Sequence, residues 1–133
     1  MKVEGRCHCG RISYEAEVDP QKVSLCNCTD CQMLSGSAFR LSVPAPAEKF
    51  QLLTGSPKTY VKTADSGQRR RHSFCADCGT PVAATVDDDS PSAYSLRVGC
   101  LAQRQALAPT RRIWMRSALP WAQDVSGVPP ADA

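Results

Sequence analysis

Eight cysteines in a chain of 133 residues constrain this sequence more than any other feature. The segment from Met1 to Arg6 carries Lys2 and Glu4 and lacks an apolar h-region, so no secretory signal is expected and a cytoplasmic location is. Structural disulfides are rare in such a reducing compartment, and cysteines there point to metal binding or redox chemistry. Their spacing narrows the choice. Cys7-His8-Cys9-Gly10 is a Cys-x-Cys turn, Cys26-Asn27-Cys28-Thr29-Asp30-Cys31 is Cys-x-Cys-x-x-Cys, and Cys75-Ala76-Asp77-Cys78-Gly79 is Cys-x-x-Cys-Gly; Cys100 stands alone.

Zinc takes four tetrahedral ligands and accepts thiolates readily. Two cysteines on one tight turn can aim both sulfurs at a single ion, and a glycine after the pair lets the backbone curl. Cys7 and Cys9 with Cys75 and Cys78 make a closed four-sulfur site, whose metal binding would be coupled to folding. Cys26, Cys28 and Cys31 offer three sulfurs, and three protein ligands with one position left over is the catalytic zinc arrangement. Three thiolates make the ion a poor Lewis acid, better suited to exchanging a thiol than to activating water. The expectation is two zinc ions per chain, one structural and one catalytic. A redox pair inside the triplet is the rival reading, but such pairs normally open a helix within a βαβ pattern, which this chain lacks; iron–sulfur spacing also differs. Cys100 is read as a small buried hydrophobe, with a fourth ligand to the triplet ion as the alternative.

The rest of the chain reads as short strands. Ile12, Tyr14, Ala16 and Val18 alternate with polar residues, the period of a half-buried strand. Strands are expected over residues 3–6, 11–18, 39–43, 51–54, 59–62, 71–74, 94–98 and 112–115, with one helical turn from Thr29 to Leu34, capped by Thr29 and stopped by Gly36. Ten prolines and eight glycines argue against a helical bundle. The predicted fold is all-β, with residues 1–122 forming one zinc-binding domain and 123–133 a flexible tail. Sixteen basic against 13 acidic residues is too mild an excess to imply nucleic acid or anionic lipid, and no apolar stretch is long enough to span a membrane.

Other residues receive plainer readings. His8 and His72 lie near cysteines but are not needed as ligands. Arg69-Arg70-Arg71-His72 reads as a solvated strand entry, or alternatively as a carboxylate-binding lip over the open zinc. Asp87 to Asp89 read as a turn, and Trp114 and Trp121 as core or cleft-wall residues.

The run Gly5-x-Cys7-x-Cys9-Gly10 with Tyr14, then Cys26-x-Cys28-x-x-Cys31 with Gly36 and Phe39, then Phe74-Cys75-x-x-Cys78-Gly79-Thr80, resembles the glutathione-dependent formaldehyde-activating family (the GFA / CENP-V type). Gly99-x-Leu101, Pro109, Ile113-Trp114 and Pro120-Trp121 agree with it. The resemblance implies a β-tent of short antiparallel strands pinned by zinc. It implies structural ligands at Cys7, Cys9, Cys75 and Cys78 and catalytic ones at Cys26, Cys28 and Cys31. The implied activity is carbon–sulfur lyase chemistry on S-hydroxymethylglutathione, with a small thiol, glutathione for the family, and an aldehyde, formaldehyde, as partners. The chain departs from the family in Asn27 where histidine is frequent, in Gly99-Cys100-Leu101-Ala102, in Arg112, and in its shorter length. The expected function is therefore a zinc lyase on a thiol–aldehyde adduct; the alternative is a non-catalytic thiol-binding or protein-interaction zinc module.

Overall fold

The computed structural model describes residues 1–133 and is mostly β. Strands β1 (Lys2–Arg6) and β2 (Ser13–Glu17) form a hairpin, and β5 (Phe50–Thr54) joins β2 to complete a three-stranded antiparallel sheet. A seven-stranded sheet runs in the order β10 (Arg111–Ile113), β3 (Ser24–Cys26), β4 (Arg40–Pro46), β9 (Ala93–Arg97), β8 (Pro81–Val86), β7 (Arg69–Phe74), β6 (Lys58–Thr63). Every pair is antiparallel except β10 with β3, which is parallel. That pair is a departure from the expected antiparallel tent. The two strands are far apart in sequence, so no hairpin turn forces their direction.

Residues expected to alternate do so. Ile12, Tyr14, Ala16 and Val18 are buried, as are Val43, Ala45 and Leu96 on the facing sheet. Tyr14, Phe50 and Tyr94 stack in a row, with ring centroids 5.4 and 4.6 Å apart. The core is small and made largely of valine and alanine, since only 22 of 133 residues are buried. Cys7 and Cys75 belong to it. Two strands went unforeseen. β3 has three residues and runs into the cysteine triplet, while β8 follows a Cys-Gly turn and is buried on both faces from Val82 to Thr85. β4 extends past its expected end through Pro44 and Pro46. Those prolines lie beyond the reach of β3, which pairs only with Arg40 to Ser42, so β4 has a partner on one side there.

The register assigns the two faces of the large sheet. Val43 pairs with Leu96 and Leu96 with Ala83 on the core side. On the other side Cys26 pairs with Arg40, Ser42 with Arg97, Ser95 with Ala84, Ala84 with His72, and His72 with Tyr60. This second face carries the polar groups that matter below. After a 3-10 turn over Pro120–Gln123 no further regular element follows, and residues 124–133 are exposed. No helix is long and apolar enough to cross a membrane.

Gly5 lies against the buried Tyr14 ring, where an added Cβ would fall 2.1 Å from Cζ. Gly5→Ala is expected to cost about 1–3 kcal/mol through overpacking, and less in a Tyr14→Leu background. Urea unfolding of the single and double variants measures this; equal costs in both backgrounds would exclude the clash as the cause.

Candidate metal centres and the adjoining cleft

The first cluster joins the two sheets. Cys7 and Cys9 sit on the β1–β2 turn and Cys75 and Cys78 on the β7–β8 turn, with all four sulfurs within 4.8 Å of one another. Cys7 Sγ lies 3.6 Å from Cys9 Sγ, which lies 3.8 Å from Cys75 Sγ. Zinc–sulfur bonds of about 2.3 Å at tetrahedral angles set sulfurs about 3.8 Å apart, so the donor set fits such an ion. Local donors favour the thiolate at Cys7 and Cys78, whereas at Cys9 the Arg11 amide is outweighed by burial and the neighbouring thiols, which push it up to about 11. The Ile12 amide donates to Cys7 Sγ at 3.3 Å, and the Thr80 hydroxyl lies 3.2 Å from Cys78 Sγ. The Thr80 hydroxyl, with backbone amides, pulls the Cys78 thiol down to about 5. Burial opposes ionisation of Cys7, but the Ile12 amide and the thiols of Cys9 and Cys75 outweigh it and lower its pKa. Four adjacent thiolates repel one another, and a cation among them removes that cost. Gly10 and Gly79 take φ of 83° and 78°, the left-handed turns expected after each pair.

The second cluster lies at the end of β3. Cys26 is its last residue, Cys28 caps helix α1 (Thr29–Ser35), and Cys31 lies in the first turn of that helix. Their sulfurs also fall within 4.8 Å of one another, and no fourth cysteine, histidine or carboxylate joins them. Cys28 is the N-cap in place of the expected Thr29: its Sγ accepts the Cys31 amide at 3.3 Å. Burial acts to raise the Cys28 thiol, yet that amide and the two neighbouring thiols lower it overall. Burial pushes Cys26 up to about 12. Asn27, fully buried, holds the loop. Its Nδ2 donates to Ile113 O at 3.1 Å and to Met115 Sδ at 3.4 Å, and its Oδ1 accepts Gln123 Nε2 at 3.1 Å. Gln32 Nε2 donates to Asn27 O at 2.8 Å and to Ser117 O at 3.0 Å, tying α1 to the C-terminal segment. Trp114, at φ 57° and ψ 43°, is held in a left-handed conformation beside this loop.

A cavity of about 440 Å³ lies on the polar face of the large sheet, walled by Leu34, Arg40, Tyr60, His72, Phe74 and Arg97. The triplet cysteines do not line it but are joined to its walls: Cys26 is the cross-strand partner of Arg40, and Leu34 follows Cys31 by three residues on α1, placing both on one helix face. A second cavity of about 730 Å³ shares the Arg40, Pro81 and Arg97 walls and reaches toward Cys7, Cys100 and Arg104. His72 Nδ1 lies 3.3 Å from Arg97 Nη2. Burial, then the charges of Arg97 and Arg40, lower His72 to about 4, so it is neutral at pH 7 and accepts from Arg97.

A model of the glutathione-dependent formaldehyde-activating enzyme family matches residues 2–117. The chain belongs to that family. Among solved structures it is similar to a protein of Rhodobacter sphaeroides, with 19% identity, a TM-score of 0.62, and coverage of 82% of this chain and 98% of that one. That likeness shows the shared fold. A search of curated proteins gave no match. In this glutathione-dependent formaldehyde-activating family member, the seven cysteines singled out by spacing assemble into two clusters that can hold metal ions.

Cys100 joins neither. Its thiol donates to Pro81 O at 3.0 Å, and burial raises it to about 11. The basic run, read as a solvated strand entry or alternatively as a lip, is divided in the structure. Arg69 Nε lies 3.1 Å from Asp87 Oδ2, and Arg71 donates to the carbonyls of Val86 and Asp88, so both are spent on the β8–β9 turn. Only Arg70 and His72 of that run face the cleft side. The cleft's own cations, Arg40 and Arg97, were missed. Arg97 falls two residues before Gly99 on a strand that was expected, and alternation with buried Leu96 and Val98 was the available signal.

Two zinc ions per chain are expected by elemental analysis of reduced, chelator-free protein; one or none counts against the double site. Cys78→Ser is expected to abolish cooperative folding, because structural zinc supplies on the order of 10 kcal/mol, comparable to a domain's whole stability. Cys28→Ser should stay folded and hold one ion. Matching melting curves for the two variants would refute this division. For His72, the folded pKa lies below the unfolded value, so the unfolded state binds more protons between them. Its stabilising contribution is present above pH 6.5 and is lost as pH falls toward 4. His72→Asn keeps an acceptor for Arg97 and should show a shallower stability loss across that window in urea titrations.

Proposed function

We propose that the chain is a zinc-dependent carbon–sulfur lyase that forms or cleaves the adduct of a small thiol and an aldehyde, with S-hydroxymethylglutathione as the family's example. One observation carries the reading: three cysteines converge with no fourth cysteine, histidine or carboxylate among them, at the end of a strand whose neighbour Arg40 lines a cleft. Cys26, Cys28 and Cys31 would hold the catalytic zinc, and Cys7, Cys9, Cys75 and Cys78 the structural one. Bound at the triplet, zinc would supply a centre that keeps a substrate sulfur as thiolate near neutral pH.

The chain's own residues supply the rest. The Cys31 amide and the Asn27 hydrogen bonds fix the triplet in place. Leu34, Phe74, Pro81 and Tyr60 give the neighbouring cleft apolar walls. In the forming direction the thiol gives its proton to water, its sulfur bonds to the carbonyl carbon as the C=O π bond opens, and the resulting alkoxide oxygen takes a proton from water. The reverse breaks the same carbon–sulfur bond and releases thiol and aldehyde. All eight cysteines are free, which supports action in a reducing compartment, the cytoplasm.

The rival reading as an interaction module draws on an exposed apolar groove formed by Met33, Phe39, Leu119, Trp121 and Val125. Turnover separates the two: thiol–aldehyde exchange should outpace background at substoichiometric zinc-loaded protein. In calorimetric titrations glutathione should bind well and its S-methyl form at least tenfold more weakly, since a thioether is the poorer ligand. Equal affinities would remove the thiolate mechanism.

A further inference from the structure

Arg40 is 7% exposed, yet no carboxylate pairs with it. Arg97 is in the same position. Its Nη1 donates to Ser42 Oγ at 2.8 Å and its Nη2 meets neutral His72, so both partners are uncharged. The Nε atoms of both arginines are buried without any partner. Burial and the neighbouring Arg40 depress Arg97 to about 9, which leaves it cationic at pH 7. Two like charges are therefore held together in a partly desolvated site with no carboxylate counter-ion, only the Cys31 and Cys100 sulfurs favouring the Arg97 charge, an arrangement that costs folding free energy.

The surroundings repeat the pattern. Neither cavity that Arg40 and Arg97 share is lined by an aspartate or glutamate, although the chain carries 13 acids against 16 bases. The acids lie elsewhere: Asp87 with Arg69, Asp77 with Arg11, Glu17 with Lys49, and Asp30 with Lys62. Positive charge is thus concentrated in the cleft by placement, since the net charge is small. The pair also sits next to the triplet. Arg40 is the cross-strand partner of Cys26, and Arg97 is reached from Arg40 through Ser42 on the same face. Guanidinium forks match carboxylates in geometry as well as charge.

We propose that Arg40 and Arg97 form the recognition site for a carboxylate on the substrate, so that the chain selects thiols carrying a carboxylic acid over small uncharged thiols. This rests on the thiol reading above. The sulfur would lie at Cys26, Cys28 and Cys31 while the carboxylate is gripped across the sheet face, which orients the thiol for attack on the aldehyde. Arg40 and Arg97 are binding residues here, in the role that the alternative reading of the run Arg69-Arg70-Arg71-His72 gave to a carboxylate-binding lip.

The test is calorimetry on the zinc-loaded full chain with 3-mercaptopropionate, its S-methyl thioether and 2-mercaptoethanol. Wild type should favour 3-mercaptopropionate over 2-mercaptoethanol. Arg97→Gln and Arg40→Gln should each weaken 3-mercaptopropionate by about 10- to 100-fold, the worth of a hydrogen bond to a charged group, and leave 2-mercaptoethanol unchanged. Arg97→Lys should retain part of the preference. The melting temperature of Arg97→Gln should equal or exceed wild type, because a like-charge burial is relieved; a merely structural arginine would give a lower one and weaken both thiols alike. Equal binding of the two thiols by wild type, a preference that survives both substitutions, or no binding of any carboxylate overturns the proposal. If the S-methyl thioether binds as tightly as the thiol and loses affinity in Arg97→Gln, the arginine site stands and the thiolate reading fails.

Discussion

The convergence of four sulfurs from two hairpin turns is the constraint on which this fold depends. Cys7 and Cys9 belong to the small sheet, Cys75 and Cys78 to the large one, and Cys7 and Cys75 are themselves core residues. A metal ion at that point would cross-link the sheets at the end of a core made mostly of valine and alanine, where burial alone gives little margin. The amide of His8 donates to Thr80 Oγ1 at 3.0 Å, so the turns are already joined by a hydrogen bond beside the sulfurs. Metal binding and sheet packing then become one cooperative event.

The two clusters differ in how the chain presents them. The first uses two rigid turns that face each other, each closed by a glycine at positive φ. The second is carried on one continuous segment, from strand end to helix cap to first turn, and depends on distant residues for its shape. Asn27 binds Ile113, Met115 and Gln123, and Gln32 binds Ser117. A fully satisfied buried amide rigidifies its surroundings. The C-terminal segment thereby acts as a brace for the triplet, and the three bonds of the Asn27 side chain use both ends of its amide.

Much of this was legible beforehand because spacing in cysteine motifs reports local geometry. Sulfurs two or three residues apart are already neighbours, and the grouping into four and three needed no tertiary information. Alternation in Ile12 to Val18 likewise reports one buried face. What stayed hidden depends on pairing across the sheet. β8 reads as an apolar run without alternation, since it is covered on both faces, and β3 is too short to signal itself. The roles of the arginines were hidden for the same reason. Arg69 and Arg71 form the conspicuous run, but Asp87 is placed by a turn to neutralise them. Arg40 and Arg97 are isolated in sequence and meet only because β4 pairs with β9.

That pairing sets a tension between stability and use. A sheet face bearing Arg40, Arg97 and a neutral His72 would pack more favourably with apolar residues, and the chain's acids are free to be elsewhere only because turns and edge strands bind them. Neutral His72 matters to the balance: protonated, it would add a third charge to the pair and lose its role as acceptor for Arg97. The cleft thus stays basic, but only to the extent that two guanidiniums and their neutral partners allow. A carboxylate entering it meets donors that are already desolvated and oriented, so little reorganisation is needed at binding. The same desolvation that weakens the fold at this face is what makes the face selective.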